Sequence, residues 1–144
     1  MKKRYIRYTS SIMKNMDNHL QSYLKNQQIG VTVNDMLLLR TVSSLRADGK
    51  NTTSEIAKKI GVTSAAISIS IKRLEKKMFL HRYHDIDDRR RVYIGLTKNA
   101  HQHLKNFIKF YDKTIDSLFS SIHHTEMKNL INTLIVIENN SKTL

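Results

Sequence analysis

Apolar residues recur along this chain with two different periods, and the change from one to the other divides it. Over residues 5–27, Ile12, Met13, Met16, Leu20, Tyr23 and Leu24 fall three or four apart, the spacing of one helix face. Gly30 stops that helix. A second helix starts after Val31, with Thr32 as N-cap and Asp35 three residues on, a variant of the capping box. Met36, Leu38, Leu39, Val42 and Leu45 give it an apolar face, and the turn chemistry of Arg46-Ala47-Asp48-Gly49-Lys50-Asn51 ends it. Thr52-Thr53-Ser54-Glu55 reads as a full capping box opening a short helix with Ile56, Ala57 and Ile60 on one side. Gly61-Val62 breaks that helix, and Thr63 caps the next, which runs to about Met78. Two short helices joined by a tight glycine turn are the sequence form of a helix-turn-helix.

Beyond Met78 the period drops to two. Residues 80–84 read as a strand, and residues 91–96 alternate, with Val92, Ile94 and Leu96 on one face. The polar run Asp85-Ile86-Asp87-Asp88-Arg89-Arg90 between them makes a β-hairpin with a basic tip, a wing. Thr97 then caps a long helix carrying a sustained stripe: Ala100, Leu104, Phe107, Ile108, Tyr111, Ile115, Leu118 and Phe119. His123-His124-Thr125 makes a break, and Met127, Leu130, Ile131, Leu134 and Ile135 build a last helix. The expected fold is mainly α with a small β-hairpin wing, a winged helix-turn-helix. Residues 32–97 form its DNA-binding domain, and residues 1–31 and 98–144 supply dimerisation helices. Dimerisation is expected because the outer stripes (Ile12, Met16, Leu20; Leu118, Phe119; Leu130, Leu134) have no sheet to cover them. Large exposed apolar stripes are rare on monomers, and a two-fold interface of helices from both chains covers them.

Charge narrows the partner. The 144 residues hold 25 Lys plus Arg against 12 Asp plus Glu, a formal net charge of +13. Such an excess favours an anionic partner, a nucleic acid or an acidic membrane surface. The excess is uneven: residues 58–91 hold ten basic and four acidic residues, whereas residues 99–144 hold five and four. A surface charged only for solubility has no reason for that asymmetry. The start, Met1-Lys2-Lys3-Arg4, looks like a signal-peptide n-region, but Arg7, Thr9, Ser10 and Ser11 leave no apolar stretch behind it. No run approaches the roughly 20 apolar residues of a membrane span, so no membrane partner and a cytoplasmic location are expected. Absence of cysteine removes disulfides, thiolate zinc sites and catalytic thiols.

On the helix after Thr63, Ile67, Ile71, Leu74 and Met78 cluster on one side, and Ala65, Ser68, Ile69, Lys72 and Lys76 lie nearly opposite. The second face starts small and hydroxylic, which lets a helix sink towards base edges in a major groove about 12 Å wide. It turns cationic further along, as phosphate contact requires. An ordinary amphipathic helix with a lysine-rich exterior has the same pattern; the capped helix and Gly61 turn before it favour DNA. The candidate contacts are Ser64, Ala65, Ser68, Ile69 and Lys72 for recognition, with Thr63 and Arg73 anchoring phosphates. Arg89 and Arg90 at the wing tip are either a solvated charge run or a minor-groove contact, where narrow A·T tracts concentrate negative potential. A neighbouring carboxylate can hold such a guanidinium in a fixed fork.

Leu74-Glu75-Lys76-Lys77, then Leu80 and Arg82, Asp85 to Arg90, and Leu96-Thr97 resemble the MarR family of bacterial regulators, and the order of elements matches over nearly the whole chain. The resemblance implies a DNA-binding homodimer that represses nearby genes from a palindromic operator in double-stranded DNA. It implies that Asp88 orients Arg90, which reaches the minor groove, and that a small aromatic or anionic ligand binds between the dimer helices and the DNA-binding lobe. The chain departs from the family at Ile86, where proline is usual, and at Met78 and Ala100, where glycine is usual. The alternative from another class is a module that coats DNA non-specifically or binds proteins with the same basic surface.

No enzyme is expected. The four glycines are scattered, so no phosphate loop exists, and the Asp85, Asp87, Asp88 cluster sits among arginines that keep carboxylates ionised. No cofactor and no metal site are expected either. His101 and His103 are two apart on a helix and point to different faces, and no His-x3-His pair occurs on a helix.

Overall fold

The computed structural model describes the backbone of residues 1–144 and every side chain except that of Lys2. Helices and strands follow in the order α1 (Lys2–Asn26), α2 (Val33–Ala47), α3 (Thr53–Ile60), α4 (Ser64–Lys76), β1 (Leu80–His84), β2 (Val92–Leu96), α5 (Lys98–Phe119) and α6 (His124–Ser141). This is the expected mainly helical fold with one two-stranded hairpin. The chain divides into two compact units, residues 1–109 and 110–144, with the boundary inside α5.

Local signals set the element ends in the first unit. Thr32 and Asp35 close a reciprocal box: the Asp35 N–H donates to Thr32 Oγ1 (3.2 Å) and the Thr32 N–H to Asp35 Oδ2 (2.9 Å). Thr52 forms only half of the box expected for it, its hydroxyl accepting from the Glu55 N–H at 3.4 Å. Gly61 takes φ +83°, where a side chain is strained, and its N–H and that of Val62 both return to the Ala57 carbonyl. Thr97 joins two elements through one hydroxyl, which accepts from the Ala100 N–H (3.1 Å) and donates to the Met78 carbonyl (2.7 Å).

The core of this unit takes Leu20 and Leu24 from α1 and Met36, Leu39 and Val42 from α2. It adds Ile56 from α3, Ile67, Ile71 and Leu74 from α4, Leu80, Ile94 and Leu96 from the hairpin, and Ala100, Leu104 and Phe107 from α5. Two residues expected in it lie outside. Ile60 is exposed at the end of α3. Met78 is 70% exposed because α4 ends at Lys76 and the chain reverses there. The Phe79 N–H reaches the Leu74 carbonyl and the Met78 N–H the Glu75 carbonyl, both at 2.9 Å, a Schellman turn with Met78 left-handed at φ +60°. Phe79 takes the buried place instead. Met78 thus holds the backbone conformation that glycine adopts most easily, which explains why glycine is usual there in the family it resembles.

In the hairpin, Leu80 pairs with Leu96, Arg82 with Ile94 and His84 with Val92. Gly95 leaves room for its cross-strand neighbours: a Cβ there would stand 2.9 Å from His81 Cε1, and the exposed His81 ring would have to move aside. In the second unit, α6 begins at His124, earlier than expected, and the break falls over residues 120–123. The His123 N–H donates to Glu126 Oε2 across its first turn. None of the α6 residues is buried: Leu134 is 53% and Ile137 55% exposed. Among the described residues, no helix is long and apolar enough to cross a membrane.

Candidate nucleic-acid interface

The helix α4 presents two faces. Ile67, Ile71 and Leu74 are buried, while Thr63, Ser64, Ala65, Ile69, Lys72 and Lys76 are exposed and Ser68 is half-buried. Ile69 is the odd member, an isoleucine 71% exposed among polar neighbours. Thr63 spends its hydroxyl oxygen on the Ala66 N–H (3.2 Å), which leaves the hydroxyl proton for an outside acceptor.

Arg73 stands apart from the other candidates. Both of its terminal nitrogens donate to the carboxylate of Asp35, so α4 is tied to the first turn of α2. Asp35 is buried and Arg73 is 44% exposed at the side chain. Burial of Asp35 opposes its ionisation, but the hydrogen bonds from Arg73 and Thr32 outweigh burial and hold its carboxyl below the usual range. A phosphate would therefore meet only the outward N–H groups of Arg73, beside a standing negative charge.

The wing tip is organised by carboxylates. Asp88 Oδ1 accepts from both the backbone N–H (3.0 Å) and Nε (3.2 Å) of Arg90, whose side chain is 93% exposed. Arg89 is exposed too, and its carbonyl lies 2.8 Å from His84 Nδ1. Asp85 Oδ1 accepts from the N–H groups of Asp87 and Asp88, and the Tyr93 hydroxyl donates to Asp85 Oδ2. The Asp87 and Asp88 bonds lead in lowering the Asp85 pKa below the ordinary carboxylate range. Beside α4, a cleft of about 530 Å³ opens between α2 and α4, lined by Leu37, Leu38, Ile60, Val62, Ala66 and Ile67 along with Asp35, Ser70 and Arg73. Among the described residues, no three His, Cys, Asp or Glu side chains converge to hold a metal ion.

A MarR family model matches residues 32–92, the span from the α2 cap to the start of β2. SarT of Staphylococcus aureus, an HTH-type transcriptional regulator, is 31% identical over 90 residues, which cover 62% of this chain and 75% of SarT. The chain belongs to the MarR family. A second relative, the uncharacterized HTH-type transcriptional regulator YwaE of Bacillus subtilis, is 31% identical over 91 residues, 63% of this chain and 53% of YwaE. The matched part thus spans about half of YwaE. Both relatives are regulators, not enzymes. The structure of Streptococcus pneumoniae FabT in complex with DNA superimposes with a TM-score of 0.84 over 99% of both chains at 20% identity, which places this chain in the same winged-helix fold.

Four residues that organise the hairpin beneath this candidate interface carry no signal in the hydrophobic pattern: Asn51, Tyr83, Asp85 and Tyr93. Asn51 reads as a turn residue, and its buried bonds run to Tyr83 and Ile94, more than thirty positions away. Asp85 and Tyr93 read as one charge in a run and one exposed strand position.

Proposed function

We propose that this protein is a sequence-specific DNA-binding transcription regulator that acts as a homodimer, represses from a palindromic operator and is released by a small ligand. The observation that carries the reading is the outward face of α4. A helix anchored by three buried aliphatics exposes Ser64, Ala65, Ile69 and Lys72, and three residues after that helix the chain enters the wing that carries Arg90. Small side chains admit the groove floor, Ile69 suits a thymine methyl, and Lys72 suits a phosphate. Arg89 and Arg90 extend the contact to the minor groove, with Asp88 orienting Arg90. Thr63 donates to a phosphate through its free proton, and Ser68 contacts a base edge from its half-buried position. Arg73 contributes less than a free guanidinium because Asp35 already neutralises it.

Residues 32–97 do the reading, and the apolar residues left exposed on α1 and α6 are covered by a second copy, which sets two α4 helices about one turn of DNA apart. MarR membership supports this, and FabT, whose fold the chain shares, was captured on DNA. The cleft beside α4 falls in the size range of small-molecule sites and offers a small aromatic or anionic ligand the outward N–H groups of Arg73. A ligand seated there touches the reading helix directly, so release follows from its preference for the unbound conformation. A regulator of this kind resides with the DNA in the cytoplasm.

Selection of duplexes from a random pool, followed by competition with random DNA, tests the central claim. A preference of about 10³-fold or more for the selected site is expected. Equal competition by random DNA would show instead a module that coats DNA without reading it.

A further inference from the structure

We infer that Asn51, Tyr83, Tyr93 and Asp85 form a relay that aims the wing: they are positioning residues for Arg90, acting from the helix-turn-helix out to the tip. The inference rests on the reading of Arg90 as a DNA contact.

The relay starts at a fixed point. Asn51 is 1% exposed, and its side-chain amide donates to the Ile94 carbonyl and to the Tyr83 hydroxyl, each at 2.7 Å. Its main-chain carbonyl accepts from the Ile94 N–H at 2.9 Å. A buried amide with both donors spent has no alternative orientation that keeps its partners satisfied. Tyr83 is thereby held by its hydroxyl, and its ring stacks on the cross-strand partner Tyr93, with centroids 5.5 Å apart and planes at 30°. Gly95 leaves that ring its room, since a Cβ there would lie 3.2 Å from Tyr83 Cε1.

From Tyr93 the relay passes to the tip. Its hydroxyl donates to Asp85 Oδ2 at 3.2 Å, which orients the carboxylate so that Oδ1 receives the N–H groups of Asp87 (2.8 Å) and Asp88 (3.1 Å). Those two bonds fix the backbone of the residue that holds Arg90. The tip has no covalent stiffener: residues 85–91 hold no proline, and Ile86, where the family it resembles usually has one, is 98% exposed and packs on nothing. Side-chain hydrogen bonds therefore do the ordering that a ring would otherwise do. Ordering an arginine before it meets DNA removes that cost from binding, worth roughly three- to ten-fold in affinity for one long side chain.

The decisive variant is Tyr93→Phe, which keeps the ring stack and deletes one hydrogen bond; Asn51 also engages both main-chain groups of Ile94, so its loss disturbs more than the relay. Affinity for the selected duplex is measured for the wild type, Tyr93→Phe, Arg90→Ala and the double variant. Backbone order parameters of residues 86–90 and melting temperatures are recorded beside them. The expected result is a loss of about three- to ten-fold from Tyr93→Phe alone and none on top of Arg90→Ala. The melting temperature is expected to be unchanged, and tip order parameters to fall from about 0.85 towards 0.6. An equal loss in both backgrounds, or unchanged affinity with unchanged tip order, overturns the relay. If Arg90→Ala binds like the wild type, Arg90 is not a DNA contact and that reading fails by itself. The order parameters then decide whether the tip is held from Tyr93.

Discussion

Asp35→Ala removes one carboxylate that serves three donors, and its cost can be worked from those contacts. Asp35 closes the α2 capping box from the third helical position; its removal deletes the bond from the Thr32 N–H, about 1 kcal/mol, while Thr32 still caps the helix. The same carboxylate holds Arg73, but that guanidinium is 44% exposed and water recovers most of its solvation. The pair therefore contributes at the level of an exposed ion pair, up to about 1 kcal/mol. The sum, about 2 kcal/mol, corresponds to roughly 4–8 °C in melting temperature for a chain of this length. The pKa of Asp35 is lowered in the folded protein, so its stabilisation is complete above the unfolded value near 4. It is lost as pH falls through the lower folded value. Circular dichroism melts of both proteins at one fixed concentration, at pH 7 and down to pH 3, read this directly. The gap in melting temperature should be full at pH 7 and close below about pH 4. A gap under 1 °C at pH 7, or one that keeps its size down to pH 3, would refute the reasoning by showing that Asp35 acts through packing and not charge.

Lys72→Ala should weaken every duplex about equally and reduce the slope of log affinity against log salt by about 0.9, the value for one phosphate contact; a loss confined to the selected site would assign Lys72 to a base. Arg90→Ala should cost more on A·T-rich flanks than on G·C-rich ones, because groove width sets its gain, and equal losses would remove shape reading from the wing. Leu134→Lys, at a position 53% exposed on α6, should yield a monomer in sedimentation at micromolar concentration; a stable dimer would place the interface elsewhere. Met78→Gly should raise stability by about 0.5–1 kcal/mol by relieving the left-handed backbone, and a net loss in denaturant melts would mean the methionine side chain contributes more than its exposure suggests.

Elements whose signals are local were readable from the chain alone. Thr32, Thr63 and Gly61 each act within four residues, and their spacing marks where α2, α4 and the turn between α3 and α4 begin or end. The aliphatic period of α4 likewise separates its buried and outward faces. Met78 was misread for a physical reason: it is apolar and in phase with Ile71 and Leu74, but the chain has already turned over at Lys77. Side-chain identity reports hydrophobicity, not the sign of φ. Ile60 fails similarly: it is in phase with Ile56, but it is the last residue of α3, before Gly61 ends the helix, and it lines the cleft beside α4. Of the candidate site, the outward placement of the α4 residues and of the wing arginines was visible as type and spacing. The Asp35–Arg73 tie spans 38 positions and the Asn51–Tyr83 bond 32, separations at which periodicity carries no information.

Asn51 has a consequence beyond the wing. A two-stranded ribbon is marginal by itself, and its outer edges offer unpaired N–H and C=O groups to any other extended chain. On β2 both main-chain groups of Ile94 are already engaged by Asn51. This single residue therefore works as a stopper in the middle of that edge, and a foreign strand must expel it before it can zip along β2. Loss of Asn51 is then expected to show first as strand-to-strand association between molecules, with a dye-binding, concentration-dependent aggregate appearing while the helical signal is still largely intact.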